Sequence, residues 1–198
     1  MELPPRVPSS GSGTSRMIGR LLMRASGWKF DGAFPDLERF VAILAPHTSN
    51  WDFFVAFLAK LALGIEARWI GKHTLFRWPI SGWLKSIGGI PVDRRTPHGV
   101  VETVVNEFAA RPAMVFVLAP EGTRKRVTQW RSGYWHVARS AGVPIVTVGL
   151  DYERKRVVIG PPIMTSRSLE DDERRLHDLL REVRGKRPEN EMQHSTAK

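Results

Sequence analysis

Ala113-Met-Val-Phe-Val-Leu118 is a run of six apolar residues, bounded by Arg111-Pro112 before it and by Ala119-Pro-Glu-Gly122 after it. A run this short and this apolar, between turn-forming residues, fits a strand covered on both faces. Phe40-Val-Ala-Ile-Leu-Ala45 and Val143-Pro-Ile-Val-Thr-Val-Gly-Leu150 are of the same kind, and shorter strands are expected at Ala67 to Ile70 and Ile90 to Val92. Between them, Trp51 to Leu63, Val100 to Phe108 and Gly133 to Ser140 read as helices, the last closed by Gly142. Lys155 to Ile159 is expected to pair with the strand ending at Leu150 as an edge hairpin, and Ser168 to Gly185 to form a charged helix capped by Ser168. Alternating strands and helices predict an α/β fold, and 198 residues suit one domain with a substantial core.

The first of these strands delivers Ala45-Pro-His-Thr-Ser-Asn-Trp-Asp52, which puts an imidazole and a carboxylate five residues apart in a strand-to-helix loop. Asn50 suits the N-cap, and Asp52 falls in the first helical turn, where its charge suits the macrodipole. Folded back, the loop lets the Nδ1–H of His47 meet Asp52 and leaves Nε2 to take a proton from an attacking hydroxyl. Taken alone, this spacing recurs by chance, and Asp52 can equally be an ordinary helix-start carboxylate.

Three later loops are basic. Lys72, His73 and Arg77 cluster beside aromatic residues after the strand ending at Ile70; alone, such a cluster is more often simply solvated. Asp93-Arg94-Arg95 follows the Ile90 strand as a phosphate clamp or, alternatively, as an internal ion pair. Glu121-Gly122-Thr123-Arg124, with Lys125, Arg126 and Arg131 nearby, follows the core strand at Leu118 and favours an anionic ligand.

Thirty Lys and Arg against 20 Asp and Glu give a net charge of +10, which attracts phospholipid headgroups, nucleic acid or phosphorylated ligands without choosing among them. The absence of cysteine excludes disulfides, thiolate metal sites and a cysteine nucleophile; no metal site is expected. No apolar run reaches the roughly 20 residues of a membrane span, and no P-loop, dinucleotide fingerprint or nucleophile elbow is present. Residues 1–14, rich in Pro, Ser and Gly, read as a flexible lead, and 186–198 as a disordered tail. Residues 15–30 read as a basic amphipathic helix, with Arg16, Arg20 and Arg24 four apart and Met17, Ile18, Leu21 and Leu22 among them. Its apolar face either lies in a lipid headgroup layer with Trp28 near the interface, or docks on the domain's own core, or does both. Residues 31–185 form the main domain.

His47-Thr-Ser-Asn-Trp-Asp52, Gly71-Lys-His-Thr-Leu-Phe76, Ile90-Pro-Val-Asp-Arg94, Pro120-Glu-Gly-Thr-Arg124 and Val143-Pro-Ile-Val146 resemble, in order and spacing, the motif blocks of the glycerolipid acyltransferases. That group includes the 1-acylglycerol-3-phosphate acyltransferases, and the match covers about Val41 to Leu150. Thr147 departs from it, standing where the family usually repeats a proline.

The resemblance implies a mixed, largely parallel sheet flanked by helices. It also implies transfer of a fatty acyl group from acyl-CoA or acyl carrier protein, as co-substrate with no cofactor, to a lysolipid hydroxyl. His47 looks like the general base and Asp52 its orienting carboxylate. Lys72, Arg94, Glu121, Gly122, Thr123 and Arg124 look like the site for the acceptor's phosphate or headgroup. The expected setting is cytoplasmic, at the inner face of the cell membrane, without nucleic acid. The alternative from another class is a non-catalytic protein that binds anionic lipid or nucleic acid; a positioned base has no use in such a protein.

Overall fold

The computed structural model describes residues 1–92 and 97–192. The elements run α1 (Gly13–Ala25), β1 (Lys29–Asp31), β2 (Arg39–Leu44), α2 (Trp51–Leu63), β3 (Ala67–Lys72), α3 (Ser81–Ser86), β4 (Gly89–Val92), α4 (Pro97–Ala109), β5 (Met114–Leu118), α5 (Gly133–Ala141), β6 (Ile145–Asp151), β7 (Arg156–Ile163) and α6 (Leu169–Leu180). The strands form one seven-stranded sheet in the order β1-β7-β6-β2-β5-β3-β4, and each neighbouring pair is parallel except β6 with β7. The expected mixed, largely parallel sheet is what forms. Because β2, β3, β4, β5 and β6 share one direction, the loops that follow them open at one edge of the sheet, where α/β folds gather their sites.

β2 shows how the sequence sets the layers. Phe40, Ala42 and Leu44 point to the face covered by α1, α2 and the N-terminal segment, where Met23, Val55, Ala62 and Leu63 meet them. Val41, Ile43 and Ala45 point the other way, onto Val104 and Phe108 of α4, Tyr134 of α5 and Leu176 of α6. Burying each such large side chain stabilises the fold by roughly 1.5–3 kcal/mol, so a one-residue slip that inverted both sets would be disallowed.

Several sequence expectations change. Residues 1–14 are not a loose lead: Val7 is buried, Ser10 N–H donates to Gly64 O at 2.7 Å, and Glu66 N–H to Pro8 O at 2.8 Å. The Pro-rich composition hides one valine that fits a gap beside Phe34 and Phe40. The domain boundary at residue 31 also moves, because β1 begins at Lys29 and joins the sheet. It does so on the outer side of β7, so β7 is not the edge strand that the hairpin reading made it. The expected helix to Gly185 ends at Leu180, and residues 186–192 turn back onto the domain, where Met192 packs against the core. Residues 193–198 lie outside the described residues.

Helix α1 decides between the placements open to it. Gly19 and Met23 are its buried residues and face α2, with Arg20 Nε donating to Ala62 O at 3.2 Å. A side chain on Gly19 would put its Cβ 2.7 Å from the Leu61 carbonyl carbon, so the two backbones cross at glycine distance. Leu21 lies about 160° round the helix from both Gly19 and Met23 and is 58% exposed. Met17, Ile18 and Leu22 are exposed with it. Most of the apolar side chains therefore point outward, while α1 docks on the core through Gly19 and Met23. Trp28, which the lipid-layer reading set near the interface, is buried against Tyr152.

Candidate active site

β2 ends at Leu44 and α2 begins at Trp51, which leaves His47 in the loop between them. Asp52 is fully buried, and its Oδ2 lies 3.0 Å from His47 Nδ1. The same oxygen accepts the Thr48 and Ser49 N–H groups at 2.8 and 2.9 Å, and Oδ1 accepts the Tyr152 hydroxyl at 2.8 Å. Nδ1 thus lies at ion-pair distance from the carboxylate, at an angle short of an aligned hydrogen bond. Burial pushes the Asp52 carboxyl up, but His47, the Ser49 N–H and the Tyr152 hydroxyl together outweigh it and hold the group below its ordinary value. The carboxylate stays charged. The His47 side chain is 21% exposed, enough for a reacting hydroxyl to reach it.

The helix start is capped differently from expectation. Asn50 holds the N-cap position without a side-chain cap bond; Ser49 Oγ takes the Trp51 N–H instead. The N–H groups of Thr48, Ser49, Trp51, Asp52 and Phe53 all have acceptors within the loop and first turn, so these cannot serve as oxyanion donors without breaking the loop.

Glu121 follows β5 and is also buried, but its carboxylate is turned to the loop: Oε1 accepts the His47 N–H at 3.0 Å. Burial raises its pKa, opposed by its own and the His47 N–H groups and by the charges of His47 and His177. Expected in the headgroup site beside the arginines, Glu121 instead holds the backbone of the His47 loop. Gly122 turns with φ +65°, Thr123 Oγ1 accepts the Lys125 N–H at 3.3 Å, and Arg124 is exposed three residues from the brace. Lys72, at the end of β3, is exposed at the same sheet edge. Arg94 lies outside the described residues. Among the described residues no set of three His, Asp or Glu side chains converges as a metal site.

Sequence reasoning missed the lid of the loop. Tyr152 is the first residue beyond β6, and Tyr152 N–H donates to Arg184 O at 2.8 Å. Beyond it, Arg187 N–H donates to Thr48 Oγ1 at 3.1 Å, and a Cβ on Gly185 would come 2.8 Å from the same hydroxyl. Lys186 Nζ sits 4.4 Å above the ring of Trp51. Nothing in the charged run 181–187 marks it; the signal becomes legible only once β6 is known to end at the same edge as β2.

Beside the loop, Phe53 and Phe57 of α2 stack at 6.2 Å, and Phe53 meets Trp69 while Phe57 meets Trp83. An oriented, partly exposed imidazole between an aromatic wall and basic loops can deprotonate a hydroxyl on a molecule with an apolar and an anionic part.

A family model described as Acyltransferase matches residues 33–151. The chain is 31% identical to the 1-acyl-sn-glycerol-3-phosphate acyltransferase of Escherichia coli (strain K12) over 156 residues, 73% of this chain and 61% of that protein. It is 32% identical to the chloroplastic 1-acyl-sn-glycerol-3-phosphate acyltransferase BAT2 of Brassica napus over 110 residues, 52% of this chain and 32% of that one. The chain thus spans about a third to three fifths of the length of these curated relatives. The crystal structure of the 1-acyl-sn-glycerophosphate acyltransferase PlsC from Thermotoga maritima superposes with a TM-score of 0.59 at 17% identity, covering 84% of this chain and 75% of that one, which is a likeness of fold.

Proposed function

The chain belongs to the acyltransferase family, and on that premise we propose that it moves a fatty acyl group from an acyl thioester to the hydroxyl of lysophosphatidic acid or a related lysolipid. The observation that carries this reading is the partly exposed His47 held 3.0 Å from the buried carboxylate of Asp52. His47 Nε2 takes the acceptor's hydroxyl proton while the oxygen attacks the thioester carbonyl carbon. As the tetrahedral intermediate collapses, the C–S bond breaks, the thiolate leaves, and the imidazolium returns the proton to it. Asp52 fixes the ring and stabilises the transient imidazolium. A thioester is already a good acyl donor, so neither a covalent enzyme intermediate nor a cofactor beyond the acyl-CoA or acyl carrier protein co-substrate is required.

Arg124, Lys72 and Arg94 supply cations for the acceptor's phosphate, and Glu121 acts at one remove by bracing the loop. The outward apolar face of α1, with Arg16, Arg20 and Arg24 on the same helix, suits an anionic bilayer. Trp78, 93% exposed, with Ile80 and Trp83, adds further exposed apolar surface before and on α3. No helix among the described residues is long and apolar enough to cross a membrane. In this reading the exposed surface of α1 and Trp78 meets the inner face of the cell membrane peripherally.

The test is incubation of the protein with acyl-CoA or acyl carrier protein thioesters and a panel of lysolipids, following thiol release and the mass of the lipid product. Acylated lysophosphatidic acid or a close relative is expected. Binding of anionic lipid with no thiol release from any donor would overturn the proposal.

A further inference from the structure

We propose that Tyr152 is a positioning residue for the Asp52–His47 pair: its hydroxyl, 2.8 Å from Asp52 Oδ1, fixes the carboxylate so that Oδ2 meets His47, and draws off part of its charge. The assignment deepens the reading of His47 as general base and rests on it.

The two oxygens of Asp52 are differently occupied. Oδ2 is shared among His47 and the Thr48 and Ser49 N–H groups, while Oδ1 is bound by Tyr152 from across the sheet edge, 100 residues away in sequence. The two N–H groups come from Asp52's own loop and move with it. Tyr152 stands directly after β6 and ties the carboxylate to the end of that strand. Its ring is itself fixed: Trp28 meets it edge on at 5.0 Å, its N–H is bonded to Arg184 O, and Lys186 Nζ stands 5.9 Å from its centroid. Burial and the neighbouring Asp52 charge push the phenol's pKa above its ordinary 10, so it remains a donor wherever the enzyme works.

A donor on Oδ1 has an electrostatic consequence for the ring on Oδ2. Removing it leaves more negative charge on Asp52, favours the imidazolium and raises the pKa of His47. Other titratable groups face the pair: Glu121 from the loop after β5, His177 of α6 acting on Glu121, and Lys186 from the C-terminal segment. All are retained in a Tyr152→Phe variant, so they cancel in the comparison.

The experiment compares Tyr152→Phe with wild type in the full chain. The pH dependence of kcat is followed with a lysolipid acceptor, and the His47 imidazole titration by NMR, assigned through His47→Ala. The expected results are kcat lower by roughly tenfold with acceptor KM unchanged, and both the acid limb and the His47 titration displaced to higher pH by about half a unit to one unit. A Trp28→Leu variant, which loosens the ring's packing but keeps the hydroxyl, should lower thermal stability without that displacement. An unmoved His47 titration in Tyr152→Phe, whatever happens to kcat, overturns the proposal. A wild-type protein that transfers no acyl group while His47 still shifts would sink the acyltransfer reading and leave the Tyr152 coupling standing.

Discussion

The backbone N–H of His47 donates to Glu121 Oε1 at 3.0 Å across 74 residues of sequence, so the loop after β2 is bolted to the loop after β5 by a buried carboxylate. The bond needs an acceptor, not a charge. Glu121→Gln keeps one; Glu121→Ala does not, and should lose roughly 1–3 kcal/mol of stability from the unsatisfied N–H, with kcat falling as the loop loosens. Because the folded pKa of Glu121 is raised, the native state gains by its protonation, and that contribution is lost as pH rises from about 4.5 through the folded value. Glu121→Gln should therefore gain on wild type over that same interval. Denaturant midpoints measured from pH 4 to 8 check the sign.

His47→Ala should fold normally, since the ring is partly exposed and its backbone N–H, the group that Glu121 holds, is retained. Acyl transfer is expected to fall by about 10²–10⁴-fold or more. Thiol-release kinetics beside a melting curve separate the two effects, and full activity in the folded variant would end the general-base assignment.

Asp52→Asn addresses stability and chemistry together. Asp52 has a depressed folded pKa, so its contribution is present above about 3.8 and disappears as pH falls through the lower folded value. Wild type should outlast the variant at neutral pH and lose that lead in acid. Turned with its oxygen to the loop, the amide still accepts from the Thr48 and Ser49 N–H groups and can donate to the Tyr152 hydroxyl, but in either orientation the charge that stabilises an imidazolium is gone. Activity should drop steeply even where the variant remains folded, as rate and unfolding measured at one pH will show.

Helix α1 separates surface from core. Leu21→Glu changes an exposed residue and should leave the melting temperature within about a degree, since surface changes lie within about ±0.5 kcal/mol. Binding to anionic vesicles should weaken, and weaken further with salt. Gly19→Leu forces a side chain into the α1–α2 crossing and should destabilise by about 1–3 kcal/mol or more. Vesicle sedimentation and thermal melts distinguish them; unchanged vesicle binding by Leu21→Glu would count against the outward face as a lipid contact.

Much of this architecture was legible in the chain because β2, β5 and β6 are apolar runs with no competing reading. β1 and α3 were not: Lys29-Phe-Asp31 has one apolar residue, and Ser81–Ser86 is under two turns. The His47 and Asp52 spacing and the Glu121 loop were visible as residue types, but not the fact that Glu121 turns inward. Hydrophobic periodicity found the amphipathic helix and could not say which side its neighbour takes, because a backbone crossing at Gly19 needs no apolar stripe. Tyr152, Gly185 and Arg187 carry no local pattern at all; their relation to His47 exists only through the sheet's strand order.

The bond from Arg187 N–H to Thr48 Oγ1 spans 139 residues, which gives the site an order of assembly during synthesis. His47 leaves the ribosome before its Glu121 brace, and both leave before the segment that closes over the loop. A nascent polypeptide that has reached residue 182 carries His47, Asp52 and Glu121 but not yet the Gly185 to Arg187 segment that covers their loop.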